Sequence, residues 1–294
     1  MTPDKSGNES LFAHDELATM TFAQSYPQLI LQARTVGGSP TDLARLRRAY
    51  ELAEEIADGM YRANGAPFLN HLVRTASIVL AVGQPLDVVI GAMLHGIYLL
   101  DRHEGSRRRK ANPTQRRYVA SAIGADAEEL IWSYTLCGFL SRDYLEKSFA
   151  KATSGALSPQ DKRVLTIQLA NELEDHLDLA VLFAGKRPNQ QRIAECGNLC
   201  VSIANSLGLE EIANGLRRMY AETLSATIEP FLQLPHRGTY ERPRFHFGEK
   251  SVALRLLSPL GRLARSIRKR TGFTRQKMVD ARSSRQDERP RKAA

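Results

Sequence analysis

Two histidines and the arginine ahead of them are the residues best placed to do chemistry in this chain. The stretch Arg62-Ala63-Asn64-Gly65-Ala66-Pro67-Phe68-Leu69-Asn70-His71 sets a basic residue nine positions before a histidine, across a Gly and Pro break. Twenty-four residues further on, His95 follows Gly91-Ala92-Met93-Leu94 and precedes Gly96. Neutral imidazole is a good ligand for several transition metals, so two histidines on adjacent helices could converge on one ion. The plainer reading is a pair of hydrogen-bonded core histidines. More ligand chemistry lies at Asp101, His103 and Glu104, and again at Glu172, Glu174, Asp175 and His176. Either set could complete a metal site; failing that, the first is a solvated loop and the second a polar helix face. Cys196 and Cys200 stand four apart and share a helix face, but Cys137 is remote, so buried packing is favoured over half a metal site. The run Arg107 to Lys110 could hold phosphate groups or simply be solvated. No P-loop, G-x-G-x-x-G or G-x-S-x-G pattern is present, so P-loop hydrolysis and α/β-hydrolase chemistry lack support.

The elements that must position these residues are helical. Ser39-Pro40-Thr41-Asp42 is a helix start, and Leu43, Leu46, Tyr50, Leu52, Ala53 and Ile56 follow on one face. Gly65-Ala66-Pro67 breaks the chain before a helix over about 68–82, and Gly83-Gln84-Pro85 separates that from an apolar helix over about 86–100. Further helices are expected at about 114–123, 126–136, 159–182, 188–206 and 209–229, with a polar loop over 101–112. Strand-type alternation is nearly absent, so the expected class is all-α. Residues 1–38 read as a weakly structured lead-in with one short helix near Leu11 to Gln24, residues 39–230 as the helical domain, and residues 231–294 as a basic tail.

Charge is unevenly spread over the 294 residues. Lys and Arg total 41 against 32 Asp and Glu, a formal charge of +9. From Arg237 onward there are 17 basic and 5 acidic residues, a surplus of 12, which leaves the preceding body at −3. The surplus belongs to the tail, and Thr271 to Ala294 is too poor in large apolar residues to form a packed core. Ser258-Pro259 opens a short amphipathic helix over about 258–270: Leu260, Leu263, Ala264 and Ile267 on one side, Arg262, Arg265, Arg268, Lys269 and Arg270 on the other. That pattern suits an anionic membrane surface or an acidic protein, or else leucines packed on the body with solvated arginines. Nucleic acid is a less favoured partner, and the absence of an interleaved aromatic series counts against a single strand. The longest apolar run, Val88 to Leu100, is about 13 residues, short of the ~20 that span a bilayer, and no apolar stretch of signal-peptide type opens the chain. Cytoplasmic location is expected, with peripheral membrane attachment through the tail as the variation.

The order and spacing of the histidine segments resemble the HD superfamily of metal-dependent phosphohydrolases, and within it the hydrolase domain of RelA/SpoT-type enzymes. That family carries R-x-x-G-E-P-Y-I-x-H, matched here by Arg62, Gly65, Pro67, Phe68 and His71, and then a helix ending A-L-L-H-D-x-x-E-D, matched by Ala92, Leu94 and His95. Ile123-Gly124-Ala125-Asp126 is similar to its F-G-x-E-V stretch, and the resemblance covers about residues 45–180. It implies an HD-like helical bundle, with His71 and His95 as metal ligands and Arg62 as a ligand-contacting residue. Three departures bear on the chemistry. The HD aspartate is replaced by Gly96, the acidic pair that activates water by Leu99 and Leu100, and the aspartate of the late L-A-D-R motif by Asn171. Carboxylates supply the anionic oxygens that hold a divalent ion and help activate its water, and glycine and leucine supply neither.

The expected function is therefore that of a degenerate HD-like module that binds a nucleotide, a phosphorylated small molecule or a partner without normal phosphohydrolase activity. No cofactor is expected, while Mn, Fe or Zn at His71 and His95, with Asn171 as a third ligand, stays open. The alternative is an active phosphohydrolase of the guanosine polyphosphate type, or another HD-type metalloenzyme, with a rearranged ligand set.

Overall fold

The amphipathic segments are helices in a computed structural model of the chain, which describes residues 22–100, 111–137, 141–184, 188–234 and 240–241. Local chemistry explains where several of them begin. Ser39, Asn112 and Ser158 each cap a helix whose first residue is a proline: α2 (Pro40–Ala57), α6 (Pro113–Ile123) and α9 (Pro159–His176). In each, the residue three positions after the cap (Asp42, Gln115 or Asp161) accepts a hydrogen bond from the cap's backbone N–H, and the cap's side chain accepts one in return. Such a reciprocal box satisfies two donors that a helix start otherwise leaves free, and a cap contributes about 1 kcal/mol.

The architecture is all-α, as the periodicity predicts. The helices α1 (Tyr26–Thr35), α2, α3 (Phe68–Ala81) and α4 (Leu86–Leu94) pack among themselves; α6 meets α2 and α7 (Ala125–Leu136), and α7 meets α4. On the other side, α10 (Pro188–Ser206) and α11 (Glu210–Ser225) pair with each other, and α8 (Arg142–Thr153) packs on α10. Helix α9 touches both groups, meeting α3, α4 and α7 on one side and α10 and α11 on the other, and is buried from Val164 to Glu174 on every face. A helix with so little solvent contact must partner its polar groups internally, and that requirement creates the site described below. Leu46, Leu72, Ile90, Met93, Leu130 and Leu165 fill the interior between these elements. Among the described residues no helix is long and apolar enough to cross a membrane.

Four expectations need correction. The expected lead-in holds a well-packed helix, α1, located after and not within Leu11 to Gln24; Phe22 to Gln24 are non-helical, and residues 1–21 lie outside the described residues. Only Leu29 and Ala33 of α1 are buried, too short a periodic signal to read, and polar contacts do much of the anchoring: Ser77 Oγ donates to Gln32 Oε1 at 2.6 Å and accepts from the Ala23 N–H at 2.8 Å. The apolar stretch 86–100 is two helices, α4 and the short α5 (Ile97–Leu100), because the chain turns at His95–Gly96. Helix α9 ends at His176, followed by a tight helical turn over Leu177–Phe183 in which Asp178 and Leu179 adopt left-handed backbone angles. Helix α8, absent from the sequence reading, has a narrow buried stripe of Leu145 and Ser148.

The tail boundary also shifts. Tyr240–Glu241 (β2) pairs antiparallel with Met60–Tyr61 (β1), so the first compact unit runs to Arg242. The second unit, Pro243–Ala294, including the amphipathic segment at 258–270, lies outside the described residues.

Candidate functional site

A turn, not a helix, aims Arg62 inward. Gly65 takes φ +83°, the Gly65 N–H donates to Arg62 O at 2.8 Å, and the Arg62 N–H donates to Ala66 O at 2.9 Å. Glycine tolerates this left-handed backbone without the Cβ clash other residues meet. Pro67 then leads into α3, and His71 falls in its first turn, facing the core. From the opposite side, His95 arrives at the end of α4, 4% exposed. Gly96 lets this junction pass against Phe68: a Cβ there would stand 3.2 Å from the Phe68 ring.

Helix α9 supplies the third wall. Positions 171, 174 and 175 share one face by the i, i+3, i+4 rule, and positions 172 and 176 share another. Glu174 and Asp175 meet the histidines: Glu174 Oε2 bonds His71 Nδ1, Arg62 Nη1 donates to Glu174 Oε2 at 2.9 Å, and Arg62 Nη2 bonds Asp175 Oδ1. Asn171 lies beside His71, on the same face of α9 as Glu174 and Asp175. Arg74, one turn after His71, donates to Asp178 at 2.7 Å, while its buried Nε, which has no hydrogen-bond partner, faces Glu174 Oε1 at 3.8 Å.

Glu172 and His176 belong elsewhere. Glu172 pairs with Arg192, accepts from Tyr220 OH at 3.1 Å and lies 3.5 Å from His176 Nε2; His176 Nδ1 meets Thr223 Oγ1 at 3.1 Å. This second network ties α9 to α10 and α11. It takes no part in the histidine cluster.

The histidine nitrogens have an informative arrangement. His95 Nδ1 lies 2.7 Å from Ala92 O, which can only accept, so Nδ1 carries the proton and Nε2 the lone pair. His95 Nε2 faces His71 Nε2 at 3.3 Å. If His71 donates from Nδ1 to the Glu174 carboxylate, two lone pairs confront each other, an arrangement that only a shared cation makes favourable. Two nitrogens about 2.1 Å from one tetrahedral ion would stand roughly 3.4 Å apart, and a carboxylate behind an imidazole is a common way of orienting such a ligand. The donor set therefore fits two cis imidazole ligands of a divalent ion, with Glu174 orienting one of them. If instead His71 is protonated at Nε2, it donates to His95, and Nδ1 accepts from Arg62 Nη1 at 3.2 Å.

Burial sets the proton affinities. It holds both imidazoles neutral: His71 lies well below its ordinary value, with Arg62 adding to the effect, and His95 falls to about 3. Burial raises Glu174 against the pull of Arg62 and Arg74. Glu172 moves the other way, because the His176 hydrogen bond and the Arg192 charge outweigh its burial.

Of the residues singled out from sequence, Arg62, His71, His95 and Asn171 converge, joined by Glu174 and Asp175. Leu99 is partly exposed. Asp101, His103, Glu104 and the run Arg107 to Lys110 lie outside the described residues. Cys196 and Cys200 are buried free thiols on α10, and the metal-type cluster among the described residues, His71 with Glu174 and Asp175, includes neither. Tyr134, whose ring packs edge-on against His95 at 5.0 Å between centroids, was missed, as was Arg74. For Arg74 the spacing of three from His71 on a helix was an available signal; for Tyr134 there was none.

A family model described as "Domain of unknown function (DUF6817)" matches residues 51–138. The bifunctional (p)ppGpp synthase/hydrolase SpoT of Escherichia coli K12 is 26% identical over 187 residues, covering 62% of this chain and 24% of that protein. The probable chloroplastic GTP diphosphokinase RSH3 of Arabidopsis thaliana is 29% identical over 170 residues, 55% of this chain and 22% of the relative. The chain thus spans about a quarter of the length of these relatives. It is distantly similar to RelA/SpoT-type enzymes over part of its length.

Proposed function

We infer that the described domain is an HD-derived binding module that takes a phosphorylated nucleotide, or a small molecule of like chemistry, without the phosphohydrolase turnover of its distant relatives. The observation that carries this reading is the position of the carboxylates. Glu174 bonds Nδ1 of His71 and, with Asp175, is bound to Arg62, while Gly96 and Asn171 stand at the sequence positions where the resembled family has aspartates. An ion held by His71 and His95 would supply a Lewis acid for a phosphoryl oxygen, but two neutral nitrogens and an amide offset little of its charge. The module would then hold ligand more readily than it activates water. The names of the relatives make guanosine polyphosphates the first ligands to try.

The facing lone pairs favour a second reading, a metal-dependent phosphohydrolase with a reduced ligand set. One experiment decides between them. Full-length protein with Mn²⁺ is given guanosine 3′,5′-bis(diphosphate), with product release followed by chromatography and binding by calorimetry. Binding without turnover supports the module. Turnover that is lost in His71→Ala and His95→Ala overturns it in favour of the enzyme.

A further inference from the structure

The guanidinium of Arg62 reaches three side chains at once: His71 at Nδ1, Glu174 at Oε2 and Asp175 at Oδ1. The same three form a metal-type cluster, with ligand atoms all within 4.8 Å of one another. Imidazole nitrogen with two carboxylate oxygens is a donor set suited to Zn²⁺, Co²⁺ or Mn²⁺. Arg62 thus occupies the position where an ion would contact all three. Arginine is a fixed cation, and nothing in the ordinary pH range discharges it.

The geometry points to an arginine-closed cation site on the Nδ1 edge of His71, in which Arg62 and a divalent cation compete for His71, Glu174 and Asp175. Two details support competition over a merely structural ion pair. His71 Nδ1 cannot both donate to Glu174 and accept from Arg62, so the cluster leaves one of these polar contacts poorly matched; a cation at Nδ1 resolves this, with the proton at Nε2 donated to His95 across 3.3 Å. Also, Glu174 Oε1 faces the unpartnered Arg74 Nε at 3.8 Å, beyond hydrogen-bond distance, so that carboxylate retains coordinating capacity. This site differs from the Nε2-facing one in its ligands, and the two exclude each other through the His71 tautomer. Whether the pocket hydrolyses a ligand does not bear on it.

An ion must displace Arg62 before it binds, so the apparent affinity of the intact protein is reduced by the fraction of time the cradle is open. The test strips full-length protein with chelator and titrates it with Co²⁺, reading the visible absorption of the bound ion and the metal content. Arg62→Met is expected to bind one equivalent at least about tenfold more tightly than wild type, given the displacement removed. Binding should survive addition of His95→Ala and be lost on addition of Asp175→Asn. No gain in Arg62→Met overturns the proposal; so does a gain that His95→Ala abolishes and Asp175→Asn leaves intact, which would assign the ion to the Nε2 edge instead. Should Arg62→Met be insoluble both with and without Co²⁺, Arg62→Lys carries the test: its single ammonium contacts fewer of the three groups, so an Asp175-dependent gain is expected, and its absence refutes the site.

Discussion

Acidification of metal-free protein probes the buried histidine pair most directly. The ordinary imidazole value is 6.5, and burial brings His95 down to about 3 in the folded chain. A base with a lowered folded value contributes its full stability above pH 6.5 and loses it as pH falls toward the folded value, because the unfolded chain takes up a proton that the native site refuses. At pH 5 that is a gap of about 1.5 pH units at ~1.4 kcal/mol each, or about 2 kcal/mol from His95. His71 is displaced in the same direction and adds a loss of the same sign. Glu174, raised by burial, acts oppositely, since acidification neutralises a carboxylate that the folded state holds at a disadvantage. The total is therefore less informative than a difference between variants. Urea denaturation at pH 7, 6 and 5 in chelator should show wild type losing about 2 kcal/mol more than His95→Gln, which has no titrating group at that position. Parallel pH profiles for the two proteins would refute the account of a buried, neutral His95.

Other outcomes follow from the same contacts. Glu172→Gln removes a carboxylate that Arg192, His176 and Tyr220 hold in its charged form, and is expected to lower stability at pH 7 by about 1–3 kcal/mol; Glu174→Gln relieves a carboxylate that burial disfavours and should cost less than Glu172→Gln in the same denaturation assay. Gly96→Asp forces its Cβ to 3.2 Å from Phe68 and should cost about 1–3 kcal/mol without metal. Combined with Asn171→Asp it restores two carboxylates, and Mn²⁺ should then raise the melting temperature more than it does for wild type. For the tail, the basic side chains from Arg262 to Arg270 predict sedimentation with phosphatidylserine vesicles, at about 1 kcal/mol per contacting residue, and loss of that sedimentation on truncation at residue 250. Unchanged binding by the truncated chain would sink membrane recruitment by the tail.

Much of the fold was legible because local chemistry and long-range packing agree. The Ser39 cap precedes a proline and periodic apolar residues, and α2 begins where it says; Asn112 and Ser158 cap α6 and α9 in the same way. The apolar stretch around His95 was misread as one helix because nothing in its hydropathy reports the close approach of Phe68 to Gly96. The site was half legible. His71, His95 and Arg62 could be paired through their segments, but the division of labour along α9 could not. Helical phase already separates Asn171, Glu174 and Asp175 from Glu172 and His176. Since α9 is buried on all sides, phase alone does not tell which set faces α3 and which faces α10 and α11.

That division gives an internal comparison between a polar cluster built to hold helices together and one built for something else. The Glu172 network is more closely matched: the carboxylate has the Arg192 cation and the Tyr220 hydroxyl, it lies 3.5 Å from His176, whose second nitrogen meets a hydroxyl, and the proton affinity of Glu172 moves in the direction of a stabilised charge. The His71 cluster is not matched in this way. Its histidine must choose between two partners at Nδ1, its second nitrogen faces the His95 lone pair and matches it only by giving up the Glu174 hydrogen bond, Arg74 Nε has no acceptor, and Glu174 is held with its charge disfavoured. Well-packed apolar residues often replace buried ionic groups at no cost in stability, so a cluster with these mismatches is poorly explained as a structural element. Perturbed groups tend to gather where proteins bind or react. The same helix, with the same depth of burial, thus carries a Glu172 carboxylate held by a cation and a hydroxyl, although Gln168 Nε2 one turn earlier has no partner, and a His71 cluster whose contacts are mismatched. It is the second that the proposed ligand or ion would use.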